Sequence, residues 1–271
     1  MPVLLRKSVY NDVLNPLSRR NAVRTSQACI ISLLMLVLPP PAFAEEAAAE
    51  QECVVLLHGL WRTELSMKWL QWALDDAGFS TSSPTYPSLR YPIEDLAVRA
   101  VEQGLYECGL HQPKRIHFVT HSLGGILIRQ YTAHHDIPGL HRVVMLGPPN
   151  QGSQVADYVY SLDLLQPFSP DAVEQLGTGE NSVPRRLGPV SFELGIIAGT
   201  ANSGGVIPGT PTEASDGTVA VAETKVPGMR DFLELPVGHT FMMWSPAVRD
   251  QVVYFLRRGQ FDRSALMTVQ P

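Results

Sequence analysis

Short apolar runs alternate along the chain with longer stretches in which apolar residues recur at helical spacing. Six of the short runs have the length and composition of strands, and they span residues 53–57, 79–86, 115–120, 141–146, 192–198 and 232–235. Strands that alternate with helices favour βαβ units and a parallel sheet. The pattern therefore predicts an α/β fold, with a mostly parallel sheet of about six strands and helices on both of its faces.

Three helices are predicted from their spacing and their ends. A helix over residues 93–105 begins just after a proline and carries two acids in its first turn, as helix N-termini prefer. The last helix follows Ser245 as its N-cap and ends before Gly259. An earlier helix carries Trp69 and Trp72 among other apolar residues, and it is expected to pack against the sheet as part of the core.

Residues 150–190 interrupt the alternation between the fourth and fifth strands. They begin with an amphipathic run whose members are Val155, Tyr158, Val159, Leu162, Leu165 and Phe168. An insertion of this length in a compact domain is usually a functional element such as a lid, or a disordered excursion, and ordinary packing of its apolar face is a third interpretation. We expect one domain over residues 45–271 with a lid-like insertion around 150–190.

The first 44 residues have the organisation of a cleaved secretory signal. Arginines precede an apolar run over residues 28–38, and a small-x-small site ends at Ala44. The run is too short for a transmembrane helix, which needs about 20 residues, so a membrane anchor is the less favoured interpretation. The long segment before the apolar run matches either a weak twin-arginine signal at Arg19 and Arg20 or a translation start that is assigned too far upstream. We expect cleavage after Ala44 and a periplasmic or secreted bacterial protein.

Composition narrows the classes of function. The chain has 271 residues, of which 45% are hydrophobic, and a formal net charge of −5. This hydrophobic share is sufficient for a packed core. Removing residues 1–44 would take away five basic residues and one acidic residue, which makes the remainder more acidic. Because no basic surface is indicated, nucleic acid is not an expected partner.

The three cysteines are too few for a disulfide-rich miniprotein and lack the paired spacing of a zinc site. Cleavage after Ala44 would leave Cys53 and Cys108 in a compartment where disulfides persist. Cys53 opens the first strand and Cys108 closes the helix before the third. If those strands are neighbours, both cysteines lie on the side of the sheet opposite the site described below. The sequence leaves open whether they form a disulfide.

A serine lies at the junction of the third strand with a helix. The strand over residues 115–120 runs into His121-Ser122-Leu123-Gly124-Gly125, and a helical pattern follows. A sharp strand-to-helix turn exposes the serine hydroxyl at the carboxyl edge of a sheet, and it requires small residues two positions before and after the serine. Thr120 here replaces the common glycine, whereas Gly124 fits. The alternative is that Ser122 is only a helix N-cap.

Four segments in this order resemble the α/β-hydrolases, and more closely small bacterial lipases and esterases with a His-Gly-x oxyanion loop. The segments are residues 57–60 (Leu-His-Gly-Leu), 120–125 (Thr-His-Ser-Leu-Gly-Gly), 215–219 (Ser-Asp-Gly-Thr-Val) and 237–240 (Val-Gly-His-Thr), and residues 147–153 are also similar. The resemblance covers roughly residues 53–258. It implies a sheet that lacks the first two strands of the family, which would make the 79–86 strand an edge where Pro84 is tolerated.

A serine hydroxyl needs a neighbouring base to act as a nucleophile, and histidine suits that role near neutral pH. His239 follows the last predicted strand, and Asp216 is the best candidate to orient its ring. The order Ser122, Asp216, His239 is the one expected for this fold. Asp216 as a plain turn residue and His239 as a packed core residue are the alternatives. The rival carboxylates are Glu213, Glu223 and Asp231.

Ester hydrolysis also needs N–H donors for the developing oxyanion. The resemblance assigns these donors to the backbone N–H groups of Leu60 and Leu123. His58 is interpreted as a residue that shapes the loop rather than as the base. Trp61 either walls the acyl pocket or caps the following helix, and the sequence does not separate these roles.

The sequence thus predicts a serine hydrolase of carboxylic esters, with lipid or acylglycerol esters favoured because residues 150–190 would cover an apolar cleft. No cofactor or metal is expected, and the substrate would be a small-molecule or lipid ester. A transient contact with a membrane or lipid interface is compatible with this substrate class, and the oligomeric state is left open. An acyltransferase or amidase with the same triad, and an inactive binding module of the same fold, are the alternatives.

Overall fold

The computed structural model describes residues 51–162, 171–202 and 211–264. Six strands in these ranges form one sheet with the order β2-β1-β3-β4-β5-β6, and every pairing is parallel. The strands are β1 (Glu52–Leu57), β2 (Ser80–Ser82), β3 (Arg115–His121), β4 (Leu140–Leu146), β5 (Glu193–Gly199) and β6 (Asp231–Leu235). The predicted signal lies outside the described residues.

Helices connect the strands and cover both faces of the sheet. They are α1 (Lys68–Asp76), α2 (Ile93–Gly109), α3 (Leu123–Thr132), α4 (Gln154–Ser161), α5 (Asp171–Gln175), α6 (Val183–Arg186), α7 (Val221–Thr224) and α8 (Pro246–Arg258). Two 3₁₀ helices, Glu64–Met67 and His239–Trp244, precede α1 and α8. No helix in these three ranges is long and apolar enough to cross a bilayer.

The predicted fold class is confirmed, and all six predicted strands are present. The run predicted over residues 79–86 is much shorter, since only Ser80–Ser82 pairs with β1. This strand is the edge of the sheet and has one neighbour, so pairing ends before Pro84. The last helix begins after Ser245 and ends at Gly259, whose φ of 72° is the left-handed conformation that glycine adopts readily.

The core consists of two layers, one on each face of the sheet. Alternate residues of β1 point to opposite faces. Val55 and Leu57 pack with buried residues of α2 and α3, whereas Val54 and Leu56 pack with buried residues of α1 and α8. The strands are therefore apolar on both faces, as parallel sheets require.

The expectation that Trp69 and Trp72 belong to the core is wrong. They are 48% and 47% exposed, respectively. Leu70 and Leu74, which lie four positions apart on one face of α1, are fully buried against the sheet. Because those leucines occupy the inner face, the indoles lie on the outer side of the helix.

Cys53 and Cys108 form a disulfide that joins the start of β1 to the end of α2, with 5.8 Å between their Cα atoms. Both side chains are fully buried. The bond closes a loop with a sequence separation of 55 residues. Such a cross-link stabilises a fold mainly by restricting the unfolded chain.

Reduction of this disulfide should lower the free energy of unfolding by about 2–4 kcal/mol. Urea denaturation of the protein with and without dithiothreitol measures the difference. The double variant C53A/C108A is the control, because the reductant should leave its transition unchanged. Equal midpoints for the oxidised and reduced wild-type protein would contradict the bond.

Candidate active site

Ser122 occupies a strained turn at the carboxyl end of β3. Its φ and ψ angles are 52° and −121°, in a region that residues other than glycine rarely adopt. The Ser122 N–H donates to the Leu146 carbonyl at 2.9 Å, which ties the turn to the end of β4. The turn therefore has the strand-to-helix geometry that presents a serine hydroxyl above a parallel sheet.

Glycines beside the turn allow neighbouring segments to approach it. A Cβ atom on Gly124 would lie 2.5 Å from the Leu57 carbonyl oxygen, and one on Gly59 would lie 2.9 Å from Nδ1 of His121. Thr120, which replaces the common glycine, is fully buried, and no hydroxyl partner for it is found among the described residues. The fold thus accommodates the larger residue on the side of the turn that faces the core.

Asp216 and His239 form a buried pair. The Nδ1–H group of His239 donates to Oδ2 of Asp216 at 2.7 Å, and the His239 backbone N–H donates to the Asp216 carbonyl at 2.9 Å. The other carboxylate oxygen accepts from the N–H groups of Thr218 and Val219 at 2.9 and 2.8 Å. These bonds fix the ring orientation and leave Nε2 as the ring nitrogen of His239 that is not bonded to Asp216.

The rival carboxylates have other partners or surroundings. Asp231 binds Arg263, with 2.5 Å between Oδ1 and the guanidinium nitrogen. Glu223 accepts from the Ala220 N–H at 2.8 Å, and Glu213 is exposed. Asp216 is therefore the carboxylate that the fold brings to His239.

Gly147 lies directly beneath this pair, and sequence reasoning gave it no role of its own. A Cβ atom at this position would lie 2.8 Å from Oδ2 of Asp216 and 3.1 Å from Nδ1 of His239. Its φ of 52° also favours glycine. The sequence shows a glycine directly after β4, but it does not show that this glycine contacts the two distant loops that carry Asp216 and His239.

Ser122 and His239 line one cavity of about 250 Å³. The apolar part of its lining is Leu60, Trp61, Pro149, Val155, Ala156, Val159, Val173, Leu176 and Val219, and the polar part is Arg62, His121, Ser153, Thr218 and Thr240. The serine and the histidine thus face a predominantly apolar space, and the hydrogen bond described above brings Asp216 to the same place.

The insertion supplies one wall of this cavity. Val155, Ala156 and Val159 come from α4, and Val173 and Leu176 come from α5 and the residue after it. Val155 and Val159, two members of the predicted amphipathic run, therefore line the same cavity as Ser122. Its last two members lie outside the described residues, and movement of the insertion as a lid stays a prediction.

Arg129 anchors the base of the insertion, and sequence reasoning did not identify it. Its buried guanidinium donates to the Asn150 carbonyl and side-chain oxygen at 3.1 and 3.0 Å, and to the carbonyls of Pro184 and Gly188 at 3.0 and 2.7 Å. Burial lowers the pKa of Arg129 to about 10, so the group remains charged at neutral pH. One cation thus holds three points of the insertion against α3.

The two residues predicted to supply oxyanion donors lie beside the serine. Leu123 is the first residue of α3, where helix N–H groups lack intrahelical partners, and Leu60 lines the cavity in the loop after β1. His58 stacks on Tyr86, with 3.8 Å between ring centroids, and the Tyr86 hydroxyl donates to the His58 carbonyl. Burial lowers the pKa of His58, so a loop-shaping role fits this residue.

His121 contacts the segment that carries His239. Its Nε2–H group donates to the His239 carbonyl at 3.0 Å, and the two rings lie 4.7 Å apart. Burial, together with the nearby His239 ring, holds the pKa of His121 well below its ordinary value. A neutral His121 therefore donates a hydrogen bond to the backbone of His239 without placing a positive charge beside the His239 ring.

Trp61 lines the cavity, which is one of the two roles left open for it. In the described ranges, no group of three or more histidine, cysteine, aspartate or glutamate side chains is arranged to hold a metal ion.

Two solved proteins have a similar fold at low sequence identity. The Bacillus licheniformis lipase BlEst2 is 20% identical to this chain in both of its solved forms. The propeptide form has a TM-score of 0.60, and the match covers 76% of this chain and 50% of the lipase chain. The mature form has a TM-score of 0.56, and the match covers 78% of this chain and 93% of the lipase chain. Phospholipase PlaB from Legionella pneumophila is also 20% identical, with a TM-score of 0.51 over 65% of this chain and 46% of that chain. The chain thus spans half the length of the lipase propeptide form.

No curated protein sequence matches the chain. A family model described as the alpha/beta hydrolase family matches residues 54–264. This range begins at the third residue of β1 and includes the other five strands, together with Ser122, Asp216 and His239. The resemblance noted in the sequence is therefore confirmed, and the chain belongs to the alpha/beta hydrolase family.

Proposed function

We propose that the protein is a serine hydrolase of carboxylic esters. The observation that carries the proposal is the 2.7 Å hydrogen bond between Asp216 and His239, in a cavity that Ser122 also lines. A histidine held by a carboxylate and facing a serine on a strained turn is the arrangement that activates the hydroxyl.

In the proposed reaction, Oγ of Ser122 bonds to the ester carbonyl carbon while Nε2 of His239 takes the hydroxyl proton. The tetrahedral oxyanion accepts hydrogen bonds from the N–H groups of Leu60 and Leu123. As the C–O bond to the alcohol breaks, His239 gives its proton to the leaving alcohol. Water then attacks the acyl-enzyme with His239 as base, which releases the acid and restores Ser122.

We favour esters with an apolar acyl chain, including lipid and acylglycerol esters. Nine of the sixteen residues that line the cavity are apolar, and α4 and α5 cover one side of it. Two proteins of similar fold are named as a lipase and a phospholipase, which supports the same substrate class.

Export remains part of the proposal, with a signal that ends at Ala44. A disulfide between Cys53 and Cys108 supports it, because structural disulfides persist in the periplasm and the medium rather than in the cytosol. Mass spectrometry of the protein isolated from culture would give Glu45 as the first residue.

A fluorophosphonate probe should label the wild-type protein and leave S122A unlabelled. D216N should fold normally and lose about 10³–10⁴-fold in kcat, since the amide favours the wrong tautomer of His239. Glu213→Gln, which changes an exposed rival carboxylate, is the matched control and should retain full activity. A folded wild-type protein that resists the probe would favour an inactive binding module, and ester formation with an added alcohol would favour acyl transfer.

Esters of increasing acyl length should be hydrolysed with rising kcat/KM as the chain fills the cavity. A156F should reverse this trend, because a ring at Ala156 occupies the space beside α4. S161F adds the same bulk on an exposed part of α4 and should leave the trend intact. A preference for short, soluble esters in the wild-type protein would exclude the lipase interpretation.

H121F should lower kcat by about tenfold or more with little change in KM, because the His239 backbone loses its hydrogen bond. H121Q can donate at the same place and should restore much of the rate. Because the low pKa of His121 keeps it neutral, H121Q should leave the acidic limb of the pH profile where it is in the wild type. A displaced limb would show that His121 itself titrates during the reaction.

A further inference from the structure

The four tryptophans of the chain are all about half exposed. Trp61, Trp69, Trp72 and Trp244 have 51%, 48%, 47% and 50% of their surface open to solvent. Leu65 and Phe241, from the same segments, are 70% and 58% exposed. Single exposed apolar side chains are ordinary, but a contiguous group of them usually marks a contact surface.

These six residues come from segments that lie side by side. Helix α1 packs against α8 and against the 3₁₀ helix His239–Trp244, and the other 3₁₀ helix, Glu64–Met67, leads into α1. Trp69 and Trp72 are in edge-to-face contact with 5.1 Å between ring centroids, and Phe241 and Trp244 are 5.0 Å apart. We call the surface formed by Trp61, Leu65, Trp69, Trp72, Phe241 and Trp244 the aromatic platform.

Two cations accompany the indoles of the platform. Nζ of Lys68 lies 6.0 Å from the ring of Trp72, and Cζ of Arg249 lies 6.0 Å from the ring of Trp69. Tryptophan is enriched at the boundary between lipid headgroups and acyl chains, because its indole ring is apolar and its N–H group is polar. Lysine and arginine side chains occur at the same boundary. The cations would meet the lipid phosphates at the same depth.

The platform is continuous with the candidate active site. Trp61 belongs to both, since it also lines the cavity that contains Ser122 and His239. Phe241 follows His239 by two residues on the same 3₁₀ helix. A ligand or surface bound to the platform would therefore lie next to the cavity that contains Ser122.

We propose that the aromatic platform docks the protein on a lipid–water interface, with the indoles inserted among the headgroups. The proposal deepens the function proposed above, since it names the surface from which an apolar ester would enter the cavity. A lipid surface fits better than a protein partner because the platform combines half-exposed indoles, paired cations and direct access to an apolar cavity.

The first test uses S122A, so that vesicle binding is measured without hydrolysis. Because all four tryptophans are in the platform, their intrinsic fluorescence reports on it without a label. Adding phosphatidylcholine vesicles, with and without phosphatidylglycerol, should shift the emission to shorter wavelength and reduce quenching by acrylamide. Cosedimentation with the same vesicles gives the partition coefficient.

Replacing two of the indoles provides the decisive comparison. In the S122A background, W69S/W72S should lower the partition coefficient by about tenfold or more, since both exposed rings are removed. Tyr106→Ser is the matched control, because this aromatic residue is 69% exposed on α2, outside the platform, and its loss should not change partition. In the Ser122 form, W69S/W72S should hydrolyse a short soluble ester at the wild-type rate.

Failure of docking and failure of hydrolysis can be told apart. An unchanged emission spectrum with both vesicle types, or equal partition of W69S/W72S and its parent, would overturn the platform while leaving Ser122 chemistry intact. A blue shift that appears with protein concentration in the absence of lipid would assign the platform to a second copy of this chain. If the protein docks on vesicles but is not labelled by a fluorophosphonate, the docking proposal is kept and the proposed hydrolase activity is rejected.

Discussion

The hydrogen bond between Asp216 and His239 is the constraint on which the rest of the candidate site depends. It links the segment after β5 that carries Asp216 to the segment after β6 that carries His239, and a backbone hydrogen bond joins the same two residues. His121 adds a third connection, from the turn of Ser122 to the His239 carbonyl. Residues after three strands are thereby joined by hydrogen bonds, and the proposed reaction would use this arrangement as preorganisation that lowers its barrier.

This arrangement requires the absence of side chains at particular points. A Cβ atom on Gly147 would meet both members of the Asp216–His239 pair, and one on Gly199 would lie 2.7 Å from Cβ of Asp216. Gly59 and Gly124 keep the loop after β1 and the first turn of α3 close to Ser122. The polar groups can therefore approach one another only because these four positions are glycines, which have no side chain. Close packing makes such positions intolerant of even one added carbon.

The features that the sequence predicted well are those with a local cause. The strands follow from apolar runs of the right length, and the turn of Ser122 follows from a strand, a serine and a glycine two positions after it. Other features depend on distant partners. Trp69 and Trp72 lie outside the core because Leu70 and Leu74 take the inner face of α1, and a pattern of apolar residues on most sides of a helix does not show which side the sheet will cover. Arg129 resembles any surface arginine in sequence, and only tertiary structure reveals that it is buried.

The contacts of Arg129 also affect which residues of the insertion could vary in sequence. Three of its four acceptors are main-chain carbonyls, and every amino acid provides a carbonyl. At Pro184 and Gly188 this anchor therefore does not depend on the side chain that the insertion carries. The residues at these two positions could be exchanged while the same guanidinium keeps their backbone in place. The residues that accept from Arg129 are not among those that line the cavity, so the lining can differ while this anchor is kept.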